Sequence, residues 1–291
     1  MVRTPTLLLL ALAVVMLSPP CLAFDHTHKV WTRELKKYVD GKDVHYADWK
    51  AHPAGLKSYL GQLASVRESD YKKFSEDEKK ALWINAYNAI TIKLVVDHYP
   101  INGNKPYYPP RSLRQVPDVW EAFKFKVAGK DVSLDDMEHN IIRTFNDPRM
   151  HFAVVCGAKS CPQLKPEAYV ATTLNADLDA AAKRYMSDPA NVQYDAKKKE
   201  IRISKVFSWF GMDFFPVSGL PKGQIPPPTP DAIVAAYALS VADKAVKEGF
   251  GSSDPRISYL MFDWTLNDAD AGSAAEKDKQ KTSARPTGTR K

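Results

Sequence analysis

The chain has 291 residues, of which 44% are hydrophobic, and its formal net charge is +7. Such a charge is typical of nucleic-acid-binding proteins, but residues 271–291 alone hold six basic and two acidic side chains. Without this tail and Arg3 the remaining body carries only +2, and the sequence contains no strip of base-stacking aromatic residues among basic ones. These features disfavour nucleic acid as a partner.

The N-terminus has the order of a secretory signal peptide over residues 1–23. Arg3 is followed by an apolar stretch over residues 7–17, two prolines and a cleavage site after Ala23. The apolar run is about half the roughly 20 residues that a membrane-spanning helix needs. The two prolines disfavour a lipid anchor on Cys21, and no later segment is apolar enough to cross a bilayer. We therefore expect an exported protein, periplasmic or secreted, without stable membrane insertion after cleavage.

The first half of the chain is predicted to be helical. Apolar residues at three-and-four spacing predict helices over residues 28–39 and 56–66. Ser75 and Glu78 have the spacing of a capping box, which opens a longer helix to about His98. On this helix a buried stripe is expected from Leu82, Tyr87, Ile90, Leu94 and Val95.

The second half is predicted to contain most of the strands. Residues 123–127 and 131–134 alternate around a glycine-containing turn, which predicts a hairpin, and Ser133 can cap a helix to about Phe145. Residues 152–156 are wholly apolar, and we expect them to form a short buried strand. The remaining predicted elements are a helix over 173–187, a hairpin of 192–194 with 201–203, a short helix, a helix near 231–247 and a strand over 257–264.

This order of elements indicates an α+β fold, with a helical N-terminal half packed on a mostly antiparallel sheet built from hairpins. We predict a single globular domain over residues 24–268, followed by a disordered basic tail over residues 269–291. The proline-rich residues 216–230 predict an extended surface loop, because prolines interrupt both helix and sheet. This loop is either a connector, which we favour, or a functional lid.

Two amides and a phenol interrupt the apolar long helix at Asn85, Tyr87 and Asn88. Buried amides are costly unless they are hydrogen-bonded. Asn85 and Asn88 are three residues apart and so lie on one side of the helix. We favour the interpretation that they hold a neighbouring loop or strand end. The alternative is that one of them orients a catalytic imidazole or donates to an oxyanion.

Cys156 is a candidate nucleophile, because it follows the apolar run and directly precedes Gly157. A thiol at such a position becomes nucleophilic if an imidazole or backbone dipoles lower its pKa. His151 is five residues away, which on a strand would place the two side chains on opposite faces. Glu138 and His139 on the preceding helix are a second source of an acid or base.

The cysteine pair allows other interpretations. Cys156 and Cys161 are the only cysteines after the predicted cleavage site, and a disulfide between them is plausible in an oxidising compartment. A zinc site has weak support, since zinc needs four ligands and no second pair of matching residues is present. We expect neither a metal nor another cofactor. The aromatic stretch over residues 204–214 is interpreted as core, and Lys205 with Asp213 as a capping or ion pair.

Five motifs in this order resemble the family called domain of unknown function 547 over about residues 30–268. They are WINAYNAITIK, VSLDDMEHNIIR, DPRMHFAVVCGAKSCP, ISKVFSWFGMDF and ISYLMFDWTLND. The resemblance implies an exported bacterial domain without a settled substrate. The characteristic positions of the family correspond to Asn85, Tyr87, Asn88, Glu138, His151, Cys156 and Gly157. Some relatives lack the counterpart of Cys161 but retain that of Cys156, which favours a solitary thiol.

Two functional hypotheses follow, with a third less favoured. The first is a thiol-dependent hydrolase or acyl transferase, in which Cys156 is the nucleophile, His151 or His139 the base, and Asn85 or Glu138 the orienting group. Tyr87, Asn88 and Gly157 would then contact the substrate. The second is a non-enzymatic exported binding or scaffolding module with a structural Cys156–Cys161 disulfide, whose ligand is an unidentified small molecule or peptide. The third is thiol–disulfide exchange by the cysteine pair.

Overall fold

Helices dominate the protein, whose computed structural model describes residues 23–223 and 227–271. The helices predicted over residues 28–39, 56–66 and 173–187 are confirmed within two residues. The α-helices are, in chain order, α1 (Lys29–Tyr38), α2 (Tyr46–Ala51), α3 (Ala54–Ser65), α4 (Glu68–Tyr71), α5 (Glu76–His98), α6 (Leu134–Met137), α7 (Leu174–Ser187), α8 (Lys205–Phe210), α9 (Pro230–Val241) and α10 (Lys244–Phe250). The single helix predicted near residues 231–247 is wrong, because the chain extends at Ala242 between α9 and α10.

Helix α5 lies at the centre of the core. The predicted capping box is confirmed, because the Ser75 hydroxyl accepts a hydrogen bond from the backbone of Glu78 and the Glu78 carboxylate accepts one from the backbone of Ser75. Every residue from Ala81 to Val96 except Lys93 is buried. The predicted single stripe is therefore too narrow, since neighbouring elements cover this part of the helix on all sides.

Within the described residues the strands are short and form three separate small sheets. The first pairs β1 (Val39–Asp40) with β2 (Asp43–Val44), and the second pairs β3 (Phe125–Val127) with β4 (Lys130–Val132). In the third, β5 (Val192–Asp195) is antiparallel to β6 (Glu200–Ile203), which is parallel to β7 (Arg256–Tyr259). The α+β class is confirmed. The strands do not join into one sheet, and the predicted last strand ends early, at Tyr259.

The helix predicted from Ser133 to Phe145 changes type along its length. Ser133 and Asp136 form a reciprocal capping box at its start, as predicted. After α6 the chain forms a π-helical turn over Glu138–Ile142 and a 3₁₀ turn over Arg143–Phe145. π-Helical turns are rare and occur frequently at functional sites. This one carries Glu138 and His139, two of the predicted site residues.

The strand predicted over residues 152–156 is wrong. A 3₁₀ helix runs through Pro148–Phe152, and the chain then continues without regular structure. Its backbone groups are satisfied by a side chain, because Asn88 Nδ2 donates to the Ala153 carbonyl at 2.9 Å and the Val155 N–H donates to Asn88 Oδ1 at 2.9 Å. The apolar run therefore indicates only that the segment is buried. It does not distinguish a strand from a buried irregular segment.

This irregular segment lies between two buried hydrophobic clusters. Met150 and Ala153 belong to the cluster around α5 and the N-terminal helices. Phe152 belongs to the cluster formed with α7, α8, α9 and the three-stranded sheet. The segment therefore connects the two parts of the core, and its side chains are buried up to the half-buried Cys156.

The C-terminal end of the described chain is bonded to the N-terminal segment. The Ala269 N–H donates to the Val44 carbonyl at 3.1 Å and the Ala47 N–H to the Asp270 carboxylate at 3.2 Å. Residues 1–22 of the signal peptide predicted over 1–23, and residues 272–291 of the tail predicted over 269–291, lie outside the described residues. Within the described part of the chain, no helix has both the length and the apolarity to cross a membrane.

The predicted proline-rich loop is shorter than expected at its start. Pro216 lies in a 3₁₀ helix over Gly211–Val217, and Pro230 is the first residue of α9. Residues 224–226 lie outside the described residues. The loop connects the 3₁₀ helix to α9.

Replacing Asn88 by alanine should destabilise the protein. The change removes two hydrogen bonds and leaves a buried carbonyl at Ala153 and a buried N–H at Val155 unsatisfied. We expect the free energy of unfolding to fall by about 2–4 kcal/mol. Urea unfolding of the oxidised protein measures this, with the exposed Asn104→Ala as the matched control, expected within about 0.5 kcal/mol of wild type. Equal effects of the two changes would contradict a structural role for the Asn88 amide.

Candidate functional site

A cleft of about 380 Å³ opens where the two parts of the core meet. It contains five of the eight predicted site residues, Tyr87, Glu138, His139, His151 and Cys156. The full lining is Tyr87, Arg114, Trp120, Glu121, Asp135, Glu138, His139, His151, Val154, Val155, Cys156, Cys161, Pro162, Val206, Trp209, Phe210, Phe262 and Trp264. Residues far apart in sequence thus converge on one concave surface.

The other three predicted residues lie outside this lining. Asn88 holds the segment that leads to Cys156, as described above. Asn85 makes the corresponding pair of hydrogen bonds with Tyr169: its Nδ2 donates to the Tyr169 carbonyl at 2.7 Å and its Oδ1 accepts from the Tyr169 N–H at 3.0 Å. Both amides therefore hold neighbouring backbone, which is the interpretation favoured from the sequence. Asn85 is not brought to an imidazole.

Gly157 shapes the turn behind the cleft. Its φ is +75°, a conformation in which any other residue would be strained. Its carbonyl accepts a hydrogen bond from the Asn267 N–H at 2.9 Å, which ties the turn to the C-terminal segment. Gly157 thus positions Cys156 without lining the cleft itself.

Cys156 and Cys161 are joined by a disulfide, with their Cα atoms 6.1 Å apart. Both are half-buried and line the cleft. The Cys156 N–H donates to the Cys161 sulfur at 3.1 Å, and the Cys161 N–H donates to the Ala158 carbonyl at 3.0 Å, so the loop is also held by hydrogen bonds. In this oxidised state the cleft contains no thiol from either residue, and the nucleophile hypothesis requires the disulfide to be reduced first.

His151 is buried and held by an acid that the sequence did not connect with it. Its Nε2 lies 2.9 Å from Asp213 Oδ2, and its ring stacks on Phe210 with centroids 4.3 Å apart. Arg143 donates to both oxygens of the same carboxylate, at 2.7 and 2.8 Å. Burial alone would raise the pKa of Asp213, but the hydrogen bonds from Arg143 and His151 outweigh it and hold this pKa well below its ordinary value. Asp213 therefore bonds to these two residues and not to Lys205.

His139 lies on the π-helical turn beside the same arginine. Its Nδ1 is 3.0 Å from Arg143 Nη1, and its Nε2 is 3.6 Å from Asp135 Oδ1. Arg143 therefore links His139 with Asp213 and, through it, with His151. The two imidazoles predicted as alternative bases belong to one network of charged groups.

Glu138 is positioned by a buried phenol. The Tyr87 hydroxyl donates to Glu138 Oε2 at 2.8 Å and accepts from Trp120 Nε1 at 3.4 Å. Burial and the nearby Glu138 charge raise the pKa of Tyr87 well above its ordinary value, so the phenol stays protonated and remains a donor. Glu138 is thereby held at the cleft with one carboxylate oxygen already occupied.

Aromatic side chains form the rest of the wall. Trp209, Phe262 and Trp264 contact one another with ring centroids 4.5–5.7 Å apart. The guanidinium carbon of Arg114 lies 4.2 Å from the ring centroid of Trp120 and 4.6 Å from that of Trp264. Such distances are typical of cation–π contacts.

Sequence reasoning missed several of these residues. Arg114, Arg143 and Trp120 were not singled out, and Asp213 and Trp209 were interpreted as structural. The available signal was that ISKVFSWFGMDF and ISYLMFDWTLND resemble family motifs although they contain no obvious nucleophile. Within residues 23–223 and 227–271, no group of three or more His, Cys, Asp and Glu side chains is arranged to hold a metal ion.

Replacing Asp213 by asparagine tests the charged network. Because the pKa of Asp213 is lower in the folded chain than its ordinary value of 3.8, its charge stabilises the fold above that value. The contribution is lost as the pH falls from 3.8 towards the folded pKa. We expect Asp213→Asn to lower the free energy of unfolding by about 1–3 kcal/mol at pH 5 to 7, and by progressively less below pH 4.

Chemical unfolding at several pH values measures this difference, and the exposed Asp254→Asn serves as control. A loss that stays constant down to pH 2 would show that the Asp213 charge is not the stabilising feature.

Comparison with known proteins gives a family match that covers part of the chain. A family model described as "Protein of unknown function, DUF547" matches residues 71–186. Neither the curated proteins nor the solved structures gave a match. The family match supports the resemblance seen in the motifs for residues 71–186, the segment that contains Tyr87, Glu138, His151 and the Cys156–Cys161 pair.

Proposed function

We propose that this protein is an exported binding module that takes a small molecule or a peptide into the cleft. The observation that carries the proposal is the convergence of aromatic side chains and a few fixed polar groups on one concavity of about 380 Å³. Ligand sites in proteins have this size and this composition, with a mostly apolar lining and a small number of orienting groups. Export is supported by the pattern of the first 23 residues.

The polar groups of the cleft are fixed before a ligand arrives. Tyr87 holds the Glu138 carboxylate, and Asp213 holds the His151 imidazole. Groups held by other residues lose little conformational freedom when a ligand binds, which favours affinity. Glu138 would accept a hydrogen bond from the ligand through its second oxygen.

Trp209 also supports a binding role. Its side chain is 46% exposed although it is large and apolar, and it lies on the wall formed with Phe262 and Trp264. Exposed tryptophans that pack against other aromatic rings are typical of binding surfaces. In this proposal the Cys156–Cys161 disulfide is structural, because it fixes a loop that lines the same cleft.

Ligand binding predicts that Trp209 contributes to affinity. A thermal-shift screen of small metabolites and short peptides should yield compounds that raise the melting temperature, since binding to the folded state stabilises it. For such compounds, Trp209→Ala should weaken binding by about tenfold or more. The control is Tyr107→Ala, which removes an exposed aromatic side chain outside the cleft. Hits whose affinity is the same in both variants would place binding elsewhere.

A second candidate is thiol-dependent hydrolysis or acyl transfer by the reduced protein. It is favoured by one arrangement, in which Cys156 shares the cleft with His151 and His151 is bonded to an acid, as the base of a catalytic triad is. In this proposal the Cys156 thiolate would attack an acyl carbon, and an imidazolium would give its proton to the leaving group. Water or a second nucleophile would then release the acyl group and restore the thiol. A dithiol reductant would first have to open the disulfide.

Single cysteine variants separate the two candidates. Cys161→Ala leaves Cys156 as a free thiol, whereas Cys156→Ala leaves only Cys161. If the second candidate holds, Cys161→Ala should hydrolyse a p-nitrophenyl ester without reductant, be alkylated at Cys156 by iodoacetamide, and lose activity on alkylation. Cys156→Ala should be at least about a hundredfold slower. Equal rates in both variants, or no rate above background, would eliminate the thiol mechanism and leave the binding proposal intact.

A further inference from the structure

Arg114 is presented to the cleft from a rigid backbone. It lies in a 3₁₀ turn over Leu113–Gln115, where the buried Ser112 hydroxyl accepts a hydrogen bond from the Arg114 N–H at 3.2 Å. The Arg114 carbonyl accepts from Lys105 Nζ at 3.1 Å, and Gln115 is bonded to the backbone of the same loop. The start of the side chain is therefore fixed, and its direction is set by the fold.

The guanidinium of Arg114 contacts aromatic rings, and its Nε has no hydrogen-bond partner among the described residues. Its carbon lies 4.2 and 4.6 Å from the ring centroids of Trp120 and Trp264, while its buried Nε has no acceptor. Across the part of the chain that the structure describes, no carboxylate forms an ion pair with Arg114. A buried donor without a partner is unfavourable, and a guanidinium offers five N–H donors in a planar fork. Arg114 lines the cleft, so the N–H donors of its guanidinium would be available to a ligand there.

The surrounding charges restrict which anion fits. Glu121, Asp135 and Glu138 line the same cleft. Their negative charges would repel a doubly charged group such as a phosphate monoester more strongly than a singly charged one. A carboxylate carries one charge and matches the guanidinium fork with two parallel hydrogen bonds.

The wall beside Arg114 defines the rest of the ligand. Trp264 contacts Arg114, Trp209 and Phe262. A group that extends from a carboxylate on Arg114 along this wall would meet aromatic side chains. Planar or apolar groups gain most from such a surface.

From these contacts we infer that the cleft recognises a carboxylate attached to an apolar or aromatic body, with Arg114 as the residue that binds the carboxylate. This inference rests on the proposed binding function and specifies its ligand class. Two sources share this chemistry, a free aromatic acid and the C-terminal carboxylate of a peptide that ends in an aromatic residue.

Matched probe pairs that differ only in charge test the inference. Titration calorimetry with the oxidised full-length protein compares naphthoate with naphthamide, and N-acetyl-Ala-Ala-Phe with its C-terminal amide. Naphthyl phosphate tests the preference for a single charge. Arg114→Gln removes the guanidinium and Arg114→Lys keeps the charge without the fork. Arg256→Gln, which removes an exposed arginine paired with Glu200 outside the cleft, is the control.

We expect the acid of at least one pair to bind about tenfold or more tightly than its amide, since a hydrogen-bonded charge pair contributes this much. The advantage should disappear in Arg114→Gln, be reduced in Arg114→Lys and persist in Arg256→Gln. The pair that shows it identifies the source, free acid or peptide terminus. Should Arg114→Gln not fold, the comparison in wild type and Arg114→Lys decides.

The inference would be overturned by equal binding of acid and amide, by an acid advantage that persists in Arg114→Gln, or by tighter binding of naphthyl phosphate than of naphthoate. Binding of neither member of either pair would also overturn it. If the amides bind and Trp209→Ala weakens them, the binding proposal stands and only the role of Arg114 fails. If the probes bind but Trp209→Ala leaves their affinity unchanged, the cleft itself is not the binding site.

Discussion

The side-chain amide of Asn88 provides the hydrogen bonds that a neighbouring strand would otherwise provide to the segment between His151 and Cys156. By bonding to both the Ala153 carbonyl and the Val155 N–H, it allows an irregular stretch of backbone to cross the interior. Without such a partner, buried backbone groups would force the segment into a sheet or a helix. His151 precedes and Cys156 follows the two residues that Asn88 holds, so these hydrogen bonds fix the positions of both site residues. Asn85 makes the same pair of hydrogen bonds with the backbone of Tyr169. Helix α5 therefore holds two neighbouring segments through its side-chain amides.

The cleft formed in this way combines groups whose chemistry depends on the redox state of one bond. With the disulfide closed, Cys156 and Cys161 are wall residues, and the polar groups that line the cleft include the Glu138 carboxylate, the two imidazoles and Arg114. This set suits recognition. With the bond open, the same cleft would contain a thiol together with an imidazole that Asp213 holds. The two proposed functions would then belong to two redox states of one site, distinguished by whether reduction occurs where the protein works.

Charge is distributed unevenly around this cleft. Arg143 is neutralised by two hydrogen bonds to Asp213, and Glu138 is partly satisfied by Tyr87. Arg114 has aromatic contacts in place of an acid partner. In the described part of the chain no acidic side chain directly contacts the Arg114 charge. A ligand carboxylate would supply the missing negative charge. Arg114 and the aromatic wall would thus form one ligand-binding surface, because Trp264 contacts both Arg114 and the other wall residues.

The sequence by itself determined the helices over residues 28–39, 56–66 and 173–187, the capping at Ser75 and Ser133, the hairpins over 123–134 and 192–203 and the α+β class, since these depend on local periodicity and capping chemistry. It also selected Tyr87, Glu138, His139, His151 and Cys156, which do share a cleft. Only the tertiary structure decided that residues 152–156 are not a strand, that Asp213 holds His151, and that Arg114 meets Trp264. Each of these depends on contacts between residues far apart in the chain, and no local pattern encodes which distant partner satisfies a buried polar group.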